Sequence, residues 1–168
     1  MTTVSAEIPV ALSSAEAWLK LSDLSQPDMY VQGLTRVEFT TEQTQGVGAS
    51  RQVTQGKSLR LDETVVEWRE GEGFSLRLHR GDKGPIPPLS SHFFAYAIVE
   101  REGRCYLSNS MRYTVGRGVL GRLLDRLVLR RVMASQLRDV TLAQKLFYET
   151  GDKVTAAALK VARSADLG

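Results

Sequence analysis

The chain has 168 residues, of which 42% are apolar and 24% are charged. This length and composition suit one compact domain with its own core, and are too small for most two-domain enzymes. The longest uninterrupted apolar run, residues 93–99, has seven residues, whereas a transmembrane helix needs about 20. A membrane-spanning helix is therefore excluded.

Charge and cysteine content narrow the class of protein further. Cys105 is the only cysteine, and no basic segment followed by an apolar stretch opens the chain. Secretion, a disulfide framework and a cysteine-based metal site are therefore not supported, and we expect a cytoplasmic protein. The net charge of +3 does not by itself imply a nucleic-acid partner. Aromatic residues are few and not interleaved with basic residues, so no nucleic-acid partner is expected.

The chain begins with a predicted strand and two predicted short helices. Residues 2–11 are rich in β-branched side chains, which favours a strand. Ser13 and Glu16 have the spacing of a capping box before a short helix. Pro27 interrupts the helical pattern, and a second short helix is predicted around residues 28–33.

From residue 35 to residue 115 the hydrophobic period becomes two, which predicts about six strands. The predicted strands cover residues 35–44, 49–55, 57–68, 74–80, 91–100 and 104–115. The one long interruption, residues 81–88, contains three prolines. Because proline cannot donate to a central strand pairing, this segment is predicted to be a surface loop.

After Gly116 the pattern is helical to about Glu149, with Gly151 placed to end the helix. The Ala-rich residues 152–165 predict a weaker extra helix. We expect one domain over residues 1–150 and a tail over 151–168. Segregated strands and helices indicate an α+β fold with an antiparallel sheet. The long helix must bury its apolar stripe, and packing on the concave face of a curved sheet would enclose a cavity.

The buried side of the long helix is predicted to change near residue 129. One face carries Leu120, Leu123, Leu124, Leu127 and Val128, and nearly the opposite face carries Leu129, Met133, Leu137, Val140, Ala143 and Phe147. Either the helix breaks at this point, or its two halves pack against different neighbours.

Basic charge is concentrated on the same helix. Residues 117–145 have a net charge of +5. The basic side chains are Arg117, Arg122, Arg126, Arg130, Arg131, Arg138 and Lys145. An ordinary solvated face accounts for this pattern. The alternative is an amphipathic patch for a membrane surface, an acidic partner or a second copy of the chain.

The segment from Gly116 to Gly121 matches the dinucleotide-binding pattern G-x-G-x-x-G. A dinucleotide site needs a parallel strand after the helix, whereas here the helical pattern continues. The glycines are therefore interpreted as a strand-to-helix connection. Signatures of triad and metal hydrolases are absent, and two histidines cannot build most zinc sites. No metal and no nucleotide cofactor is expected.

The last predicted hairpin provides the candidate site. A two-residue turn at Glu102 and Gly103 fixes its register. One face then pairs Ile98 with Leu107, Tyr96 with Asn109, Phe94 with Met111, and His92 with Tyr113. The opposite face is smaller and more polar, so the first face is predicted to point toward the long helix. An apolar concavity with few polar groups is typical of small-molecule sites.

Two points about this face stay open. Tyr96 and Asn109, and likewise His92 and Tyr113, would instead be satisfied core pairs if they hydrogen-bonded each other. Glu63 would be an acid with a raised pKa if it faced the cavity, and an ordinary carboxylate if it faced outward. Because the register of the preceding hairpins is ambiguous, Glu63 is predicted to face outward.

Four segments, in this order, resemble the SRPBCC superfamily in its polyketide cyclase/dehydrase and lipid-transport branch. They are residues 15–23 (AEAWLKLSD), 46–51 (GVGASR), 61–68 (LDETVVEW) and 121–125 (GRLLD). The similarity covers about residues 3–149. It implies a helix-grip fold, in which a curved antiparallel sheet wraps a long C-terminal helix, two short helices close one end, and a hydrophobic cavity lies between.

The resemblance implies little about function, because members include lipid carriers, hormone receptors, aromatic-ring cyclases and stress-response regulators. We expect a binder of a hydrophobic small molecule such as a lipid, polyketide or aromatic compound. Residues 85–89 would border the entrance of its cavity. The expected ligand-binding residues are Phe94, Tyr96, Ile98, Leu107, Asn109, Met111, Met133, Leu137 and Val140.

Two alternatives belong to other function classes. The first is a cyclase, aromatase or dehydratase without metal or nucleotide, in which Tyr96, His92 or Tyr113 would transfer protons. The second is an interaction module for a protein or a membrane surface, working through the basic helix 117–145. A monomer or a homodimer is expected in each case. With only His79 and His92, the iron site of Rieske-type oxygenase subunits is not expected.

Overall fold

The computed structural model describes residues 1–116, 118, 121, 123 and 125–166. Seven strands form one curved antiparallel sheet in the order β1-β7-β6-β5-β4-β3-β2. The strands are β1 (Thr2–Val10), β2 (Leu34–Phe39), β3 (Ser50–Gln55), β4 (Leu59–Arg69), β5 (Gly73–His79), β6 (Leu89–Arg101) and β7 (Arg104–Val115). The predicted meander is confirmed, and residues 81–88 form the predicted loop between β5 and β6.

Two helical segments lie between β1 and β2, and the others follow β7. They are α1 (Ser14–Leu21), a 3-10 turn (Pro27–Met29), a π-helical turn (Asp125–Leu129), α2 (Arg130–Thr150) and α3 (Ala156–Asp166). The long helix α2 contacts β1 and β7. The predicted α+β helix-grip class is confirmed. In the described part of the chain, no helix is long and apolar enough to cross a membrane.

Helix α1 begins and docks as its sequence dictates. The Ser13 hydroxyl accepts a hydrogen bond from the Glu16 amide, and the Glu16 carboxylate accepts one from the Ser13 amide, which confirms the capping box. Trp18 of α1 packs edge-on against Trp68 of β4, with 5.2 Å between ring centroids. The Glu70 carboxylate accepts hydrogen bonds from both indoles. This contact fixes α1 over one end of the sheet.

The second predicted helix is shorter than expected. Only the 3-10 turn Pro27–Met29 forms in place of a helix over residues 28–33. Pro27 sets the start of the turn, since its fixed φ suits a first helical position. Gly33, with φ of +84°, turns the chain into β2.

The predicted change of buried side near residue 129 coincides with a change of helix type. The π-helical turn Asp125–Leu129 ends where the regular helix α2 begins. A π turn rotates the faces on its two sides relative to each other. Gly151 ends α2 in the left-handed conformation, as predicted, and its amide donates to the Phe147 carbonyl at 2.8 Å.

Several predictions about residues 117–128 lie outside the described residues. Of the first leucine face, Leu123 and Val128 are exposed. The side chains that are not described include Leu120, Leu124, Leu127, Arg117, Arg122 and Arg126. Residues 117, 119 and 120, in the middle of the G-x-G-x-x-G segment, also lie outside the described residues. Every pairing between neighbouring strands of the described sheet is antiparallel, so the sheet lacks the arrangement that a dinucleotide fold requires.

The tail forms the predicted extra helix, and it docks. Val154 and Leu159 are buried. The Val154 amide donates to the Met29 carbonyl at 2.8 Å, and the Gln32 side chain donates to the Val154 carbonyl at 2.8 Å. These bonds hold the chain just before α3 against the 3-10 turn and the residues that follow it.

Candidate functional site

A cavity of about 570 Å³ lies between the concave face of the sheet and helix α2. Strands β2 to β7 form its floor, and the π-helical turn and α2 face them across the space. Ile86, Pro87 and Pro88 from the loop before β6 lie on its wall, as does Arg163 of α3. Most of the wall is apolar, and a small number of polar side chains interrupt it.

The β6–β7 hairpin has the predicted register. Ile98 pairs with Leu107, Tyr96 with Asn109, Phe94 with Met111, and His92 with Tyr113. Seven of these eight side chains are buried, and His92 is half-buried. The predicted inward face is therefore confirmed, because the two-residue turn fixes which side chains share a face.

Only part of this face borders the cavity. The predicted site residues on its wall are His92, Phe94, Tyr96, Met111, Met133 and Val140. Ile98, Leu107, Asn109 and Leu137 are packed in the core instead, which corrects the prediction that they line the cavity. Leu137 belongs to α2 itself, and all four side chains lie where the space between the helices and the sheet is filled.

Asn109 shows how closely α2 packs at this end of the sheet. Its amide nitrogen donates to Thr141 at 3.1 Å and to Gln144 at 2.7 Å. Gln144 in turn donates to the Tyr148 hydroxyl at 3.1 Å. These buried bonds connect β7 to α2, so Asn109 stabilises the packing of the helix and has no position on the cavity wall.

Tyr113 also lies off the wall and is fully buried. Its hydroxyl donates to the Asp125 carboxylate in the π-helical turn at 2.6 Å. Burial, followed by the hydrogen bond to Asp125, raises the pKa of Tyr113. The alternative pairs Tyr96–Asn109 and His92–Tyr113 are not formed, since Asn109 and Tyr113 bond the helical segments instead.

His92 lies on the wall and has a ring nitrogen that is able to form a hydrogen bond with a bound molecule. Its Nε2 atom is buried and has no hydrogen-bond partner among the described residues. Burial lowers the pKa of His92 to about 4. The imidazole is therefore neutral at physiological pH, and a bound molecule could exchange a hydrogen bond with it.

Glu63 faces the cavity, which corrects the prediction that it faces outward. The β3–β4 register places it directly opposite Arg51. The Glu63 Oε2 atom lies 2.7 Å from Arg51 Nε and 2.6 Å from Arg51 Nη2. The two side chains are 13% and 4% exposed, so this is a buried ion pair. An inward carboxylate is tolerated because the arginine compensates its charge.

Sequence reasoning missed Arg51 and Tyr30. Arg51 alternates with Val53 along β3 and stands opposite an acidic residue, and that pattern was the available signal. Tyr30 stacks on Phe147 of α2 at 6.0 Å and lines the cavity near Tyr96. Burial raises the pKa of both Tyr30 and Tyr96, and the neighbouring Tyr30 and Glu63 raise that of Tyr96 further. Both phenols are therefore neutral.

The wall thus combines an apolar surface with polar groups able to exchange hydrogen bonds with a bound molecule. Tyr30, Glu63, His92 and Tyr96 are among them, and the others in the described part of the chain are Gln32, Gln55, Gln136, Asp139 and Arg163. Among the described residues, no group of three or more histidine, cysteine or acidic side chains could hold a metal ion. The arrangement can enclose an apolar molecule and orient its polar substituents.

Comparison with known protein families identifies the chain. The sequence profile described as "Polyketide cyclase / dehydrase and lipid transport" matches residues 1–144. The protein belongs to this family. No curated protein sequence is detectably similar to it. The family match ends inside α2, so α3 lies beyond the part of the chain that the family profile covers.

Several solved structures have the same fold as this protein. A Thermus thermophilus protein superposes with a TM-score of 0.64 at 15% identity, covering 88% of this chain and 97% of that one. The di-domain ARO/CYC StfQ from the steffimycin biosynthetic pathway gives 0.68 at 14% identity, covering 88% of this chain and 50% of that one. Thalictrum flavum norcoclaurine synthase gives 0.61 at 17% identity, covering 83% and 91%. At these identities the likeness concerns the fold alone.

Proposed function

We propose that the protein binds a hydrophobic small molecule in the cavity between the sheet and α2. The observation that carries this proposal is the space itself, about 570 Å³ with a mainly apolar wall. Small-molecule sites typically have volumes of about 300–1,000 Å³. Protein interiors are otherwise close-packed with few voids larger than a water molecule, and a binding site accounts for an apolar space of this size.

Family membership supports the same function, because the family name combines polyketide cyclases or dehydrases with lipid transport. A lipid, a polyketide or another aromatic compound is the expected class of ligand. Apolar contacts with residues such as Phe94, Met111 and Met133 would supply most of the binding free energy, since burying apolar surface stabilises by about 25 cal/mol per Å².

One observation favours a second candidate function, acid–base catalysis of the cyclase or dehydratase type. His92 lies on the wall with its Nε2 atom unpartnered among the described residues. A neutral imidazole in that position could accept or relay a proton of a bound substrate. The open cavity gives the interaction-module alternative no comparable support.

Native mass spectrometry of the purified protein, followed by organic extraction, tests the binding proposal. We expect either a released apolar compound, or a complex with one molecule per chain after a panel of fatty acids and flavonoids is added. A protein that stays at its ligand-free mass with every member of the panel would contradict the proposal. The chemical class of a released compound would distinguish a lipid carrier from an enzyme of polyketide metabolism.

A further inference from the structure

The negative partner of a buried ion pair faces the cavity, while its positive partner does not. Glu63 lies on the cavity wall, but Arg51 is not among the wall residues. Each of the three guanidinium nitrogens of Arg51 has a partner within the protein. Its Nε and Nη2 atoms bind Glu63 Oε2, and its Nη1 atom donates to the Leu24 carbonyl. A ligand in the cavity therefore meets the carboxylate and not the guanidinium.

The Glu63 carboxylate retains an acceptor for a ligand. Both contacts with Arg51 use its Oε2 atom. No hydrogen bond from the described residues occupies its Oε1 atom. The other wall carboxylate, Asp139, is paired with Arg163, which itself lies on the wall. Glu63 is thus the wall carboxylate whose cation is turned away from the cavity.

Two neutral phenols lie on the same cavity wall as this carboxylate. Tyr30 and Tyr96 both line the cavity. They are near enough to Glu63 and Arg51 for the charges of that pair to act on their pKa values. Each phenol can donate one hydrogen bond and accept others. We refer to Glu63, Tyr30 and Tyr96 together as the polar corner of this mainly apolar wall.

We propose that this polar corner, formed by Glu63, Tyr30 and Tyr96, selects ligands that carry a neutral hydroxyl group on an apolar body and rejects ligands that carry a carboxylate. The inference rests on the proposed binding function and specifies the ligand class for the same cavity. A hydroxyl would donate to Glu63 Oε1, and further polar atoms of the same ligand would bond to the tyrosines. A carboxylate has no proton to donate and would bring a second negative charge next to Glu63.

The hydrogen bond to Glu63 and the repulsion of a second carboxylate both favour a ligand that carries a hydroxyl group. A hydrogen bond to a charged acceptor is stronger than one between neutral groups. Its net contribution, about 1.5–3 kcal/mol, corresponds to a preference of about tenfold or more. Repulsion between two carboxylates is larger in a water-poor cavity than in bulk water. A ligand with a hydroxyl group is therefore expected to bind more tightly than an acid of similar shape.

Equilibrium dialysis with three probes of the same ring system tests this inference. The probes are naphthol, naphthalene and naphthoate, used at neutral pH. We expect naphthol to bind about tenfold more tightly than naphthalene, and naphthalene to bind more tightly than naphthoate. Naphthalene binding as tightly as naphthol, or naphthoate binding more tightly than naphthol, would overturn the inference while leaving the binding function intact. Failure of all three probes to bind would overturn the inference, and failure of the fatty acids and flavonoids as well would overturn the binding function.

Two double variants test whether the Arg51–Glu63 pair causes the preference for naphthol over naphthalene. Arg51→Met with Glu63→Leu removes both charges together, because removing one partner would leave a buried charge uncompensated. This variant should bind naphthol and naphthalene with nearly equal affinity. Arg36→Met with Glu38→Leu makes the same change at an exposed pair, 2.6 Å apart and away from the cavity, and should keep the wild-type ratio. Circular dichroism checks that both variants fold. A folded Arg51/Glu63 variant with the wild-type ratio would contradict the assignment to this corner.

Discussion

At the scale of single residues, the same inward strand face carries side chains with different roles. His92 and Tyr96 reach the cavity, whereas Asn109 and Tyr113 bond the helical segments that cover the sheet. Alternation along a strand predicts which side chains point inward. It cannot predict whether the inner side is open or filled, because that depends on helices distant in sequence.

Simple alternation along β4 does not place Glu63 on the correct face. Leu61, Glu63 and Val65 alternate inward on β4, but the β4–β5 pairing contains a bulge between Val65 and Glu67. After the bulge, Trp68 also packs on core residues such as Phe74. A bulge reverses the alternation on its two sides, so simple alternation counted back from Trp68 places Glu63 outside.

His92 gives a prediction about pH. Its pKa is lowered to about 4 by burial, from a usual value of 6.5. The unfolded chain therefore binds more protons than the folded chain between these two values. It follows that the His92 contribution to stability decreases as the pH falls from about 6.5 to about 4, by at most about 3 kcal/mol.

Nuclear magnetic resonance titration measures this pKa directly. The chain has two histidines, so a His79→Gln variant assigns the imidazole signals. We expect the His92 signals to titrate near pH 4 in the ligand-free protein. Titration of His92 near pH 6.5 would mean that its ring is exposed to water and does not lie in a buried wall.

At the scale of elements, local patterns predicted α1 and the β6–β7 hairpin well. The capping box of Ser13 and Glu16 and the turn at Glu102 and Gly103 are both confirmed, because each depends on a few adjacent residues. The docking of α3 could not be predicted in the same way. It depends on hydrogen bonds that join Val154, just before α3, to Met29 and Gln32, which lie more than 120 residues away in sequence.

Helix α3 borders the place where the cavity meets solvent. Arg163 of α3 and Asp139 of α2 both lie on the cavity wall, 2.5 Å apart, and their side chains are 48% and 28% exposed. An exposed ion pair of this kind contributes about 0.2–1 kcal/mol. It therefore adds a small barrier to movement of α3 away from α2.

Removing this ion pair should speed the release of a bound molecule. We expect Arg163→Gln to increase the dissociation rate of naphthol by roughly twofold to fivefold, measured by stopped-flow fluorescence. Lys153→Gln is the matched control, since it removes another ion pair of the tail, Lys153 with Asp28, which lies off the cavity wall. Equal rates in wild type and Arg163→Gln would show that α3 does not limit exit.

At the scale of the whole molecule, the order of strands and helices predicted an α+β fold with an antiparallel sheet. The resemblance to the SRPBCC superfamily implied the helix-grip arrangement, which is confirmed. The existence of a cavity followed from that fold. Its size and lining did not follow, because they depend on how far α2 stands from the sheet. That separation is small at Asn109, which bonds α2 directly, and larger beside Met133 and Val140.

The central claim is that the space beside Met133 is a binding site, and a probe-binding titration with two tryptophan variants tests it most directly. Met133→Trp places a larger side chain in the cavity, whereas Val132→Trp places one at a neighbouring exposed position of the same helix. We expect naphthol to bind the wild type and Val132→Trp alike, and to bind Met133→Trp at least about tenfold more weakly. Unchanged binding in a folded Met133→Trp variant would contradict the account.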